Sequence, residues 1–208
     1  MHHTFTFRVV VSLAFFVLLV AVAASAGAAS FQGLSNLVGR DFRSEARGVS
    51  GDGSTVVGRS SSSSETEAFR WTSEGGMVGL GDLAGGIFLS VANGVSGDGS
   101  TVVGASNSVL GIEAFIWDST NHMRNLQSVL TTDFGLGSSL IGWRLEDARS
   151  ISTDGLTIAG IGINPSGFTE AWVAQLDAPN QPVPESSTLL LMGSGLVGLL
   201  GWRRFLRG

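Results

Sequence analysis

The chain has no cysteine, no tyrosine and no lysine, and only three histidines among 208 residues. Without cysteine there is neither a disulfide framework nor a thiolate metal site, and the redox compartment leaves no mark on the sequence. All 12 basic residues are arginine, and they are unevenly placed. Residues 30–185 hold eight of them against all 17 acids, a net charge of −9. A body of that charge lacks the basic patches that phosphate binding needs, so nucleic acid is not an expected partner. His2 and His3 fall in the leader and His122 is the one histidine of the body. Any Ser-His-Asp chemistry would have to rest on that single side chain.

What is present is a repeat. Gly48-Val-Ser-Gly-Asp-Gly-Ser-Thr-Val-Val-Gly58 returns unchanged as Gly94 to Gly104, an offset of 46 residues, and a divergent third copy runs from Ser150 to Gly160. The same offset pairs Leu34 with Leu80, Leu37 with Leu83, Phe42 with Phe88, Phe69 with Phe115, Trp71 with Trp117 and Met77 with Met123. A fixed period of this length marks a repeat architecture. Each unit holds a Leu-x-x-Leu segment, a Ser-x-Asp-Gly turn, a Val-Val-Gly strand and a Glu-Ala-Phe-x-Trp strand.

Asp52-Gly53, Asp98-Gly99 and Asp154-Gly155 sit between β-prone runs and predict primed hairpin turns. Val56-Val57 and Val102-Val103 are apolar on consecutive positions, which predicts a strand buried on both faces. In Glu67-Ala-Phe-Arg-Trp71 the aromatics alternate and share one face. The second unit departs from the first after Met123: Leu126, Val129 and Leu130 have helical spacing over 125–132, and a Gly/Ser-rich insertion follows. The predicted fold is all-β, three tandem units forming a propeller-like or closed three-fold structure; since propeller rings take about four to eight blades, association into a larger ring is the alternative. The Leu-x-x-Leu segment is missing after Glu170 to Leu176 and present at Phe31 to Leu37 with no strand before it. The N-terminal segment is therefore expected to complete the last unit and remove an exposed edge.

The ends differ from the body. Residues 1–29 read as a secretory signal: Arg8, the apolar run Val9 to Ala23, and the small-x-small sites Ala24-Ser25-Ala26 and Ala26-Gly27-Ala28. The alternative is an uncleaved membrane anchor. The repeat domain spans 30–177. Residues 178–187 are a Pro-rich linker, and 188–208 an apolar helix closed by Arg203, Arg204 and Arg207. That span is short beside the roughly 20 residues a bilayer crossing takes. Its arginines place the C-terminus in the cytoplasm and the repeats outside.

The ordered unit resembles the extracellular HAF-repeat family, named for a His-Ala-Phe motif. Glu67, Glu113 and Glu170 stand where that His would be, and Trp172 replaces the Phe in the last copy. The tail, Val183-Pro-Glu-Ser followed by an apolar helix and an Arg cluster, resembles the PEP-CTERM sorting signal of Gram-negative bacteria. That resemblance implies cleavage by an exosortase, a transpeptidase-like membrane enzyme, and makes Pro184, Glu185, Ser186, Arg203 and Arg204 the sorting residues. Ser186 departs from the Pro-Glu-Pro pattern, and a plain C-terminal anchor is the alternative. Together these readings describe an exported, non-enzymatic surface or matrix protein associated with exopolysaccharide, with no catalytic residue, cofactor or metal assigned. Two alternatives stand beside it. Asp52, Asp98 and Asp154 could serve calcium, although each turn offers one carboxylate where a site takes six to eight oxygens. A polysaccharide hydrolase would need two facing acids about 5 to 10 Å apart.

Overall fold

The computed structural model of the protein describes residues 29–39 and 41–176; the expected signal peptide, linker and C-terminal helix lie outside them. Residues 29–33 carry no regular structure, and the folded body begins at Leu34.

The first repeat is a four-stranded antiparallel meander of β1 (Ser44–Val49), β2 (Thr55–Ser62), β3 (Glu65–Thr72) and β4 (Gly76–Gly79). The second repeats it with β5 (Gly85–Val95), β6 (Thr101–Ser108), β7 (Gly111–Asp118) and β8 (His122–Asn125). A single parallel bridge, Thr66 to Leu89, links the two into one eight-stranded sheet. Helix α1 (Leu126–Thr132) and one 3₁₀ turn (Leu136–Ser138) follow. The third repeat has only three strands, β9 (Arg144–Ile151), β10 (Thr157–Ile163) and β11 (Thr169–Gln175). Neither sheet closes into a barrel.

The repeated Val-Val-Gly has a steric cause. At Gly104 a Cβ would overlap the Val91 carbonyl oxygen on the neighbouring strand and lie 2.7 Å from the Phe115 ring. The bare backbone lets the ring come into contact with it, and the same pairing recurs between Gly58 and Phe69 and between Gly160 and Trp172. Val102 and Val103 are both fully buried, the double-sided burial that adjacent apolar residues predict; in the first repeat Val57 is fully buried but Val56 only half-buried.

Two cores hold the repeats together, and each lies between neighbours. Leu80 and Leu83 fill the first, against Val57, Ala68, Ala92 and Val95. Leu126, Val129 and Leu130 fill the second, against Ala114, Ala148, Ile151 and Ile158. Leu126 and Val129 stand 46 residues after Leu80 and Leu83, so the helix occupies the place of the Leu-x-x-Leu segment. Asn125 caps it by accepting from the Ser128 amide at 2.8 Å.

The expected closure through Phe31 to Leu37 is not formed among the described residues, where β11 pairs with β10 alone. The Leu37 amide instead donates to Ser60 Oγ at 3.0 Å, as the Leu83 amide donates to Ser106 Oγ at 2.9 Å. The segment therefore serves the repeat that follows it in sequence.

Candidate functional site

The three Asp-Gly loops gather at one end of the stack. Each differs from the expected primed turn: the Ser50 amide donates to Thr55 O and the Gly53 amide to Ser50 O, enclosing four loop residues instead of two. Only the glycine takes a positive φ, 73° at Gly53 and 71° at Gly99, where a type I′ turn needs it at both central positions. The reason lies in the serines. Ser96 Oγ donates to Asp98 Oδ1 at 2.6 Å and accepts from the Thr101 amide at 3.0 Å, while the Ser100 amide also donates to Asp98 at 3.0 Å. Ser50 and Asp52 repeat the pattern, and Ser152 and Asp154 share it through the Leu156 amide. Hydrogen bonding by Ser96, then by the Ser100 backbone, lowers the Asp98 pKa to about 2. Asp52 and Asp154 are lowered for the same reason, their Ser50 and Ser152 hydroxyls first. The turns also dock on one another: the Asp52 amide donates to Gly97 O at 3.2 Å and the Gly97 amide to Thr153 O at 2.8 Å. Their carboxylates are engaged in loop structure.

A cleft of about 380 Å3 brings Asp98 and Asp154 near Asp118, Asp133 and Arg124. Arg124 pairs with Asp118 at 3.0 Å and Asp133 at 3.1 Å, and its Nε is buried without a partner. The guanidinium thus pairs with two of these four carboxylates.

A second opening, about 520 Å3, lies along β11. Ala171, Trp172, Val173, Ala174 and Gln175 form one wall; Leu136, Leu140 and Trp143 of the insertion face them. In the first two repeats this edge is covered. Phe69 to Thr72 pair with β4, and Phe115 to Asp118 pair with β8. Through the shared Gly-aromatic register, Trp172 to Gln175 are their counterparts, and they have no such strand. Trp172 Nε1 is buried there without a hydrogen-bond partner. The cleft is thus the place of a fourth strand. Its insertion wall lies outside the repeat, so the repeat pattern carries no sign of it; the sequence signal beside it is the cluster of prolines that follows Leu176.

The Glu residues at the His position of the resembled family are engaged separately. Glu67 accepts from the Gly81 amide at 3.1 Å, Glu113 from Ser108 Oγ, and Glu170 from Asn164 Nδ2 at 2.7 Å. Pro184, Glu185, Ser186, Arg203 and Arg204 fall outside the described residues.

Comparison with known proteins gives one match by sequence. Residues 182–204 match the PEP-CTERM protein-sorting motif. The motif makes the chain a substrate of the exosortase export route, passing through a membrane-anchored precursor to the outside of the cell. No curated protein matches the chain. Among solved structures, TolB from Acinetobacter baumannii is similar at 14% identity and a TM-score of 0.44, over 64% of this chain and 30% of that one. The chain thus spans less than a third of that protein's length.

Proposed function

We propose that the chain is an exported, non-enzymatic surface or matrix protein of a Gram-negative cell, released by an exosortase-type enzyme and held among exopolysaccharide. The sorting motif at residues 182–204 carries this reading. The HAF-like order of the repeat unit and its −9 body support an extracellular structural role. In this reading the repeats are propeller-like blades, and their aromatic residues are core. The turn carboxylates and the Glu67, Glu113 and Glu170 series are bonded within their own loops or to nearby backbone and side chains, which favours structure over acid-base chemistry.

The test is replacement of Pro184 and Glu185 by Ala in the full-length chain. Full-length protein is expected to accumulate in the membrane fraction, and its release into the medium to fall. Release at the normal rate and size would sink the sorting assignment. Absence of depolymerising activity of the released protein on the host's exopolysaccharide checks the non-enzymatic part separately.

A further inference from the structure

The two outer faces of the repeat stack are bare at positions that are buried inside it. In β5, Ser90 and Ala92 are completely buried and Val95 is 8% exposed; their counterparts on β1, Ser44, Ala46 and Val49, are exposed, Val49 by 62%. At the other end, Val173 is 67% exposed where its counterpart Ile116 is 7% exposed. The β1 face of each copy therefore matches what the β11 face lacks.

The register extends this match to hydrogen bonds. Subtracting 46 from Gly76–Gly79 gives residues 30–33, Ser-Phe-Gln-Gly, so Phe31 occupies the position of Met77 and Met123. By register residues 30–33 hold the place of a fourth strand with no third beside it, and β11 is a third strand without a fourth. Phe31 is 99% exposed. In the first repeats Met77 pairs with Trp71 and Met123 with Trp117; the corresponding pair is Phe31 with Ala174, a large side chain opposite a small one. Inside the chain the Leu80 amide donates to Ala68 O at 2.8 Å and the Ala68 amide to Ser90 Oγ at 2.9 Å. Leu34, Ala171 and Ser44 are the corresponding residues. Ser44 Oγ already donates to Ser35 O at 2.6 Å, as Ser90 Oγ donates to Gly81 O at 2.5 Å, and Ser44 is exposed. Charge is compatible. The bulge residue Asn93 reaches Asp147 of the next repeat at 2.7 Å; its counterpart Arg149, paired with Asp147 in its own chain at 2.6 Å, would face Glu45, the counterpart of Asp147. Glu45 itself holds Arg47 and Arg59.

We propose that two copies of this chain associate head to tail, residues 30–37 of each completing the third repeat of the other, so that six repeats close a ring. Three repeats within one chain fall below the roughly four to eight units with which such rings close, whereas six fall within that range. The interface is heterologous, and the ring removes both open edges.

The absence of native cysteine makes the test clean. Gln32 and Val173 are opposite in the proposed pairing, at the positions of Val78 and Arg70. Cα atoms of such pairs lie about 4.5 to 5.5 Å apart, within the range a disulfide spans under mild oxidation. Full-length chains carrying Gln32→Cys and Val173→Cys singly, with different tags, are co-expressed and the exported product is oxidised. The expected result is a covalent dimer bearing both tags, and a light-scattering mass of the unmodified protein twice that of one chain. Phe31→Asp, which changes only an exposed side chain, should halve that mass without changing the far-ultraviolet spectrum. A double variant that cross-links only within one chain would overturn the proposal in favour of self-closure. A monomeric mass, a ladder of open oligomers, or a complex with an unrelated protein would each overturn it too.

Discussion

At Gly104 the whole repeat depends on one missing methyl group. The Val91 carbonyl and the Phe115 ring both occupy the space a Cβ would need, and backbone cannot retreat as a flexible side chain can. Gly104→Ala is expected to cost about 1 to 3 kcal/mol, the usual range for overpacking a close-packed core. A thermal melt would show it, and an unchanged midpoint would mean that Phe115 does not need the glycine. The turn carboxylates give a second residue-scale prediction. Asp98 is held at about 2 in the folded chain, chiefly by Ser96, below an ordinary value of about 4 when unfolded. A depressed carboxylate stabilises the fold fully above the unfolded pKa and loses that contribution as pH falls through the folded one. Stability is therefore expected to decline between about pH 4 and pH 2. Ser96→Ala should move the Asp98 carboxyl titration upward in carbon-detected NMR. If the resonance titrates unchanged, the hydroxyl is not the cause.

Helix α1 shows how an element can change form while keeping its task. Leu80 and Leu83 reach the first inter-repeat core from an irregular segment; Leu126 and Val129 reach the second from a helix, at the same register. Both leave the neighbouring sheets the same filling. Leu126→Ala removes a fully buried side chain between two repeats and is expected to cost about 2 to 5 kcal/mol. Denaturant unfolding of the exported protein measures this, and a loss under 1 kcal/mol would place Leu126 outside the core. The strands were legible in the sequence because Val-Val-Gly, Ala-Phe-x-Trp and the Ser-x-Asp-Gly loop each carry a local physical reason. The helix was legible from the spacing of Leu126, Val129 and Leu130, and its Asn125 cap emerges only in the structure. Its equivalence to Leu-x-x-Leu was hidden, since helical periodicity and the Gly/Ser-rich insertion obscure a register that only the inter-repeat core reveals. Turn type was hidden too, because Asp-Gly specifies a primed turn only when flanking serines do not claim the amides.

For the molecule as a whole, the sorting tail was plain in the order of proline, glutamate, apolar run and arginines, whereas the β11 cleft was not. Its walls come from a strand that lacks a partner and an insertion that belongs to no repeat, and neither is a motif. The permuted register did point to residues 31–37 as the missing piece; it could not say of which copy. That question bears on stability. Within one chain Leu34 and Leu37 are only half-buried, held on β2 by the Leu37 amide bond to Ser60 Oγ. Seated on a second copy they would lie between two repeats, as Leu80 and Leu83 do. Folding linked to association raises the melting temperature with protein concentration, by mass action. The exported protein is therefore expected to melt higher as concentration rises from about 1 to 100 μM, the upper concentration being worth up to about 2.7 kcal/mol if it reaches a hundredfold excess over the dissociation constant. Deleting residues 31–40 should lower the melting temperature at high concentration and abolish its concentration dependence together. A deletion that lowers the melting temperature equally at every concentration would show that these residues serve only their own repeat.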